Sequence, residues 1–162
     1  MIHQLNEQDW PEIKRIYIQG IETNMATFMS VEEVTTYTEW IKKKIPTSCL
    51  GYLKGDQLMG WSALSPVSSR PVYSGVAEVS VYIDLSQSRK GIGSQLMKAM
   101  IDFAENNQIW TLQSAIFPEN KASTKLHEKY GFRLVGYREK IGQLNGIWKD
   151  NLFFERRSKI IL

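Results

Sequence analysis

The stretch from residue 76 to residue 96 constrains the fold of this chain more than any other. VAEVSVYI (76–83) alternates polar and apolar side chains, which is typical of a β-strand with one buried face. QSRKGIGSQL (87–96) then brings two cations and two glycines, and a helical pattern of apolar residues starts at Ile92. The first N–H groups of a helix lack partners and lie at the positive end of its dipole, so they attract anions. The sequence therefore predicts a strand, a turn and a helix, and the turn is either an anion site or a plain connection with solvated cations.

Two well-known phosphate-binding loops do not fit this turn. A Walker loop needs a second glycine followed by lysine and a hydroxyl residue, and no such pair is present. A Rossmann turn needs a third glycine at the position that Leu96 occupies. If the turn binds a phosphate, it does so with Gly91 and Gly93 leaving the backbone accessible and with Arg89 and Lys90 adding charge.

Helical and strand patterns follow one another in the order β-α-α-β-β-β-α-β-α-β-β. Early antiparallel strands and a single β-α-β step predict an α/β fold of the mixed α+β kind, with a mostly antiparallel sheet flanked by helices. We expect residues 1–162 to form one domain, with a loop rich in Pro, Ser and Gly over 66–75. Helices are predicted over 6–21, 30–44, 92–105 and 119–130, and strands over 1–5, 49–54, 57–65, 76–83, 109–117, 132–141 and 148–156.

Composition mainly excludes classes of protein. With 43% hydrophobic and 23% charged residues, the chain is typical of a globular protein and not of a disordered one. No apolar run approaches the roughly 18 residues of a membrane span, and the N-terminus is polar, so we expect a cytoplasmic protein with no membrane partner. The single cysteine, Cys49, cannot form an internal disulfide, and no Cys/His cluster has metal-ligand spacing. Acidic and basic residues are interspersed at a net charge of +3, which argues against a nucleic-acid partner.

Several motifs in one order resemble the GNAT acyltransferase superfamily. SRKGIGSQLM after VAEVSVYI, with ENKASTKLHEKYGF some way on, is similar to the loop and helix with which that superfamily binds acetyl-CoA. NMATF (24–28), AEVSVYI (77–83), LHEKYGF (126–132) and NGIWKD (145–150) are similar, more narrowly, to the phosphinothricin N-acetyltransferase group. The resemblance implies a GNAT fold, acetyl-CoA as co-substrate, a homodimer, and direct acetyl transfer in a ternary complex to the primary amine of a small amino-acid-like molecule such as phosphinothricin or methionine sulfoximine.

The resemblance also implies which residues bind the cofactor. Two departures from the usual pattern are Ser88, where Arg or Gln is common, and Leu144, where a lysine is common. Ser88 bears on one phosphate contact, which is lost or passes to Arg89. Leu144 bears on the identity of the acceptor. The pantetheine arm would lie on backbone groups of Val81, Tyr82 and Ile83, the pyrophosphate on Arg89, Lys90, Gly91, Ile92, Gly93 and Ser94, and Asn120 would reach the cofactor from the next helix.

Glu78 is the predicted general base. The alternation puts its side chain on the face of the strand opposite the apolar one, and this face is either solvated or lines a cleft. An amine is largely protonated at neutral pH and must lose a proton before it attacks a thioester, which is the task that the resemblance assigns to Glu78. Partial burial would raise the pKa of such a carboxylate. A main-chain N–H of Val81 or Tyr82 would then stabilise the oxyanion.

His127 is the predicted source of the proton for the departing thiolate. Helical spacing over 119–130 puts Asn120, Ser123 and His127 on one face. The resemblance implies the role, because many GNAT relatives have a tyrosine at the corresponding place. An ordinary surface histidine is the alternative interpretation.

The predicted acceptor site is less specific. Arg70 stands beside Ser68 and Ser69 in a flexible loop, where its guanidinium could bind a carboxylate or simply be solvated. Phe28, with Thr27, could form an apolar wall of the pocket, and the strand residues Glu78, Val79 and Ser80 complete the set.

Two alternatives stay open at this point, another acceptor class and a protein without catalysis. The acceptor could be a protein N-terminus, a polyamine or an aminoglycoside, or the chain could be a non-catalytic acyl-CoA-binding sensor. A ping-pong mechanism through an acetylated Cys49 is disfavoured.

Overall fold

The computed structural model describes all 162 residues and contains one seven-stranded sheet in the order β1-β2-β3-β4-β5-β7-β6. The predicted order of elements and the mixed, mostly antiparallel sheet are confirmed. None of the helices has the length and apolar character needed to cross a bilayer. The strands are β1 (Ile2–Gln4), β2 (Leu50–Lys54), β3 (Gln57–Pro66), β4 (Val76–Ile83), β5 (Thr111–Ile116), β6 (Arg133–Leu144) and β7 (Ile147–Arg157), and the helices are α1 (Trp10–Glu22), α2 (Tyr37–Ile41), α3 (Ile92–Asn106) and α4 (Lys121–Lys129).

The sheet opens at its centre. All neighbouring strands are antiparallel except β4 and β5, and this parallel pair joins only Val76–Glu78 to Thr111–Gln113. The rest of β4, residues 79–83, pairs with β3 on one side and has no partner strand on the other. Backbone N–H and C=O groups along this free edge have no partner strand. Buried main-chain groups need hydrogen-bond partners, so a ligand can supply them here.

Helices cover both faces of the sheet. On one face, Ile13 of α1 and Trp40 of α2 pack in a core cluster with Trp61 of β3, whose indole N–H donates to the Ile13 carbonyl at 3.2 Å. On the other face, Met100 of α3 packs in a second cluster with Val79 of β4. Full burial of side chains of this size contributes about 1.5–3 kcal/mol each. Val79 therefore anchors the apolar face of β4 in the core, and the neighbouring Glu78 lies on the opposite face.

The predicted helix over residues 30–44 is wrong. The capping box is present, with the Ser30 N–H donating to Glu33 Oε2 at 2.7 Å, but it starts only a single 3-10 turn over Val31–Glu33. The β-branched run Val34, Thr35 and Thr36 then disfavours a helix, and the Thr36 hydroxyl caps α2 by accepting from the Glu39 N–H at 3.3 Å. The segment is therefore two short pieces, and α2 is one of them.

The connection between the last two strands is shorter than predicted. β6 continues through Leu144, and the turn consists of Asn145 and Gly146 with φ of 51° and 78°. Positive φ at both central residues is the requirement of a tight two-residue hairpin turn, for which Asn-Gly is the preferred pair. The hairpin tip reaches the loop after α1, where Asn145 Nδ2 donates to Asn24 Oδ1 at 3.1 Å.

Candidate active site

A cleft of about 640 Å³ opens where β4 and β5 part. Residues 78–82 of β4 and residues 114–117 in and after β5 line it from the sheet. Asn120, Ser123 and His127 line it from α4 and its cap, and Trp40 and Lys44 line it from α2 and the segment that follows. The divergence of the two strands thus creates the cavity, and side chains from both helices complete its walls.

Glu78 lies at the point where the strands separate. It is the last residue of β4 that pairs with β5, opposite Gln113, and it lines the cleft. Desolvation raises the pKa of its carboxyl group, against the opposing charges of Lys44 and Arg138. Water still reaches the side chain, so this rise is smaller than for a carboxylate fully enclosed by protein. The structure therefore places the predicted base in a cavity, with a pKa shifted toward neutral pH.

His127 is buried, with 3% of its surface exposed, so the alternative of a surface histidine is wrong. Its Nδ1 lies 2.8 Å from the carbonyl oxygen of Ser123. A carbonyl can only accept, so Nδ1 carries the proton of the neutral ring and Nε2 carries the lone pair. Nε2 is buried without a partner, and burial lowers the pKa of the imidazole. The ring therefore rests neutral, and His127 is one of the residues that line the cleft.

Asn120 caps α4 and is bonded on both sides of its amide. Its Oδ1 accepts from the Ser123 N–H at 3.1 Å, and its Nδ2 donates to the Met25 carbonyl at 3.1 Å. The side chain thereby ties the loop after α1 to the start of α4, while each amide atom keeps capacity for one more hydrogen bond. A contact with the cofactor would use this second capacity.

The turn after β4 presents a row of unpartnered main-chain amides. None of the N–H groups of residues 89–94 donates a hydrogen bond within the protein, and the first bond of α3 runs from Gln95 to the Gly91 carbonyl at 3.2 Å. Gly91 adopts the left-handed conformation with φ of 79°, which glycine reaches without steric cost. Lys129 Nζ donates to Ser94 Oγ at 3.1 Å and adds a cation beside the row. Unpartnered amides beside a cation are what an anion site requires, and binding of the cofactor's pyrophosphate by residues 89–94 stays a prediction.

Asp84 fixes the path of the chain into that turn. Its buried carboxylate bonds to the Ser86 N–H at 2.9 Å and pairs with Arg15 of α1 at 2.7 Å. The start of the loop is therefore held, while the amides that follow have no partner within the protein. No local motif in the sequence marks the Asp84–Arg15 pair.

Lys44 is a cleft residue that the sequence analysis missed. Its Nζ donates to Ser65 Oγ at 3.1 Å and lies 5.7 Å from the centre of the Trp40 ring. Desolvation lowers the pKa of its ammonium, and the nearby carboxylate of Glu78 raises it in part. No local pattern marks Lys44, because α2 ends at Ile41 and the contact with Ser65 of β3 forms only through the fold.

The loop predicted to bind the acceptor does not reach the cleft. Ser68, Ser69 and Arg70 are absent from its walls, and Arg70 lies over the exposed ring of Tyr73 at 5.6 Å. The acceptor contact of this loop stays a prediction. Phe28, in contrast, lines the cleft and packs edge-on against Phe117 at 4.9 Å.

Cys49 does not lie in the cleft. It is buried, and burial raises the pKa of its thiol to about 11. A thiol in that state is not a nucleophile at neutral pH. The ping-pong alternative therefore has no support in the structure.

Comparison with known proteins points to one family and one fold. The sequence profile of the acetyltransferase (GNAT) domain matches residues 2–153. A Bacillus subtilis protein named provisionally as a phosphinothricin acetyltransferase is 33% identical over 144 residues, which cover 86% of this chain and 87% of that protein. A Pseudomonas aeruginosa L-methionine sulfoximine/L-methionine sulfone acetyltransferase is 31% identical over 99 residues, or 61% of this chain and 58% of the relative. The crystal structure of a ribosomal-protein-alanine N-acetyltransferase from Brucella melitensis superposes with a TM-score of 0.87, with 25% identity and coverage of 98% of this chain and 99% of that one.

Proposed function

The chain belongs to the GNAT acetyltransferase family, and from that membership we propose that it transfers the acetyl group of acetyl-CoA directly to the primary amine of a small amino-acid-like acceptor. The observation that carries the proposal is the position of Glu78, a partly desolvated carboxylate at the point where β4 and β5 part. Phosphinothricin, methionine sulfoximine and methionine sulfone are the acceptors to test first, because relatives are named for them.

Acetyl-CoA suits the two features on either side of β4. The unpartnered amides of residues 89–94 fit its diphosphate, and the free edge of β4 at residues 81–83 fits the amide groups of its pantetheine arm. One strand connects the two features, so a molecule bound to both would bring its thioester to the cleft near Glu78. Acetyl-CoA then supplies an activated acetyl group, and the protein positions it and moves protons.

The proposed reaction moves two protons. Glu78 takes one from the acceptor ammonium, directly or through a water molecule, and the free amine forms a C–N bond to the thioester carbon. Nε2 of His127 accepts the second from the positively charged nitrogen of the tetrahedral intermediate, and gives it to the sulfur as the C–S bond breaks. The main-chain N–H of Val81 or Tyr82 donates to the oxyanion meanwhile. A neutral imidazole suits this order, because it must receive a proton before it can donate one.

Release of free thiol from acetyl-CoA, followed against a panel of amines, tests the function. The panel holds the proteinogenic amino acids, methionine sulfoximine, methionine sulfone, phosphinothricin, spermidine, an aminoglycoside and an alanine-initiated peptide. We expect turnover with an amino-acid-like acceptor. The peptide is included because the Brucella melitensis neighbour is named for a ribosomal protein. Thermal stabilisation by acetyl-CoA without turnover of any amine would contradict the proposal and favour a sensor.

We propose in addition that two copies of the chain associate through the β6–β7 hairpin, and that the enzyme works in the cytoplasm, where acetyl-CoA is available. β6 is the last strand of the sheet, and the hairpin exposes a group of large apolar side chains. Such a group at a sheet edge favours an interface. Its members are Leu134, Tyr137, Ile141, Ile147 and Trp148.

A further inference from the structure

Lys44 is the less exposed of the two lysines that line the cleft. Lys43 is exposed to solvent, whereas Lys44 is partly buried and its ammonium is held by Ser65 Oγ at 3.1 Å. Arg70 and Arg138 do not line the cleft, and Arg138 instead lies over the Phe153 ring at 4.3 Å. The cation with a fixed position inside the cavity is therefore Lys44.

Lys44 and Glu78 are close, yet they do not pair. Ser65 stands directly opposite Glu78 across β3 and β4, so the hydroxyl that holds Lys44 belongs to the cross-strand neighbour of the predicted base. Each charge alters the pKa of the other, but no salt bridge joins them. An ammonium and a carboxylate thus border one cavity with space between them.

The ammonium of Lys44 has unused hydrogen-bonding capacity. It carries three N–H donors, and only the neutral Ser65 hydroxyl accepts one of them. A desolvated charge whose only hydrogen-bond partner is neutral carries a desolvation penalty, which an opposite charge can compensate. The Trp40 ring, whose centre lies 5.7 Å from Nζ, attracts the ammonium through its π face but accepts no conventional hydrogen bond from it. The remaining donors suit an anion that enters the cleft.

We propose that Lys44 binds the α-carboxylate of the acceptor while Glu78 receives the proton of its amine. A free amino acid carries both groups on one carbon, so it would bridge the two charges that the protein leaves unbridged. This inference rests on the proposed function, and it makes Lys44 the residue that selects free amino acids over amines without an adjacent anion.

The test compares an amino acid with its own carboxamide, which keeps the amine and removes the charge. The acid that turns over fastest in the panel, with L-methionine sulfone as the first choice, is measured beside its carboxamide as kcat/KM. We expect wild-type protein to prefer the acid by about 10- to 100-fold, the range of one charge-assisted hydrogen bond. Lys44→Met should remove this preference by raising KM for the acid, with little change for the carboxamide, and Lys44→Arg should retain part of it.

Lys54→Met is the matched control. Lys54 is an exposed lysine at the end of β2 and does not line the cleft, so its loss should leave both acceptors unchanged. Equal loss with acid and carboxamide in Lys44→Met would mean a structural role and overturn the inference. A wild-type preference near one, or a preference that disappears in Arg70→Met instead, would overturn it as well.

Turnover of amines that lack a carboxylate, without turnover of any acid, would overturn the inference but leave the acetyltransferase function standing. A panel with no turnover at all would overturn the function itself.

Discussion

His127 Nδ1 lies 2.8 Å from the carbonyl oxygen of Ser123, one turn earlier in α4. This contact fixes the proton on Nδ1 and leaves Nε2 as a buried acceptor without a partner, in a residue that lines the cleft. A side chain that could pass for a surface residue in the sequence is thereby a buried structural group, and we propose a chemical role for it as well. Its two roles lead to separate predictions.

The first prediction concerns stability at acid pH. Burial lowers the pKa of His127 below its ordinary value of 6.5. Below that pH the unfolded chain binds a proton on this ring and the folded protein does not, so stability should fall as pH drops from about 6.5 toward the folded pKa. His127→Gln should weaken this dependence in thermal melts between about pH 5 and pH 7. His3→Gln, at the only other histidine, should leave it intact.

The second prediction concerns turnover. His127→Gln removes the group proposed to carry a proton to the thiolate, so kcat should fall by about 10²-fold or more while acetyl-CoA still binds. Steady-state kinetics and calorimetry with acetyl-CoA measure the two quantities. Unchanged kcat in a folded variant would exclude His127 from the proton path.

The third prediction concerns Glu78. Glu78→Gln keeps the size of the side chain and removes its basicity, so kcat should fall by about 10²–10⁴-fold with acetyl-CoA affinity nearly unchanged. The base must be ionised, and desolvation raises its pKa, so wild-type kcat/KM should decline on the acid side from a higher pH than an ordinary carboxyl group gives. Glu128→Gln, at an exposed residue of α4, is the control. Wild-type rates across pH in Glu78→Gln would remove Glu78 from the mechanism.

The fourth prediction separates the anion site from ordinary turn chemistry. Gly91 and Gly55 both have positive φ, 79° and 60°, and a Cβ at either would meet no atom within 4 Å. Alanine at either position should therefore cost about 1–2 kcal/mol of stability through backbone strain alone. Only Gly91→Ala should also weaken acetyl-CoA binding, because only Gly91 shapes the row of free amides. Equal affinity in the two variants would contradict the placement of the diphosphate.

The fifth prediction concerns association. Ile147 on the β6–β7 hairpin and Val72 in the loop before β4 are 67% and 64% exposed, so a charge at either is equally tolerable in a single copy of the chain. Light scattering should give about twice the chain mass of 18.7 kDa for wild type and for Val72→Glu. Ile147→Glu should give a monomer. A wild-type monomer at micromolar concentration would refute the proposed interface.

Local patterns in the sequence predict the elements well where they are regular. The alternation in residues 76–83 gives the bounds of β4 and the face of Glu78, and the helical pattern from Ile92 gives the start of α3. The pattern fails over residues 30–44, since a real capping box is followed by three β-branched residues that end the helical turn.

Side chains that meet through the fold are harder to predict. Lys44 belongs to a run of three lysines, and nothing local shows that only the third is held by a serine on β3. Arg70 belongs to a loop whose composition is typical of a ligand-binding loop, but the residue lies outside the cleft. The gap between β4 and β5 cannot be predicted from the sequence, because no residue pattern in either strand indicates where the pairing ends.

That gap has a mechanical consequence. Three residue pairs are the whole strand pairing between β1–β4 and β5–β7, and the two halves otherwise meet through the core cluster that contains Val79 and Phe154. A long ligand that bonds along the free edge of β4 and touches the β5 side would fasten the two halves together. Binding of the acetyl donor would then make the connection between the two halves more rigid, so the enzyme would be stabilised by the molecule that it consumes.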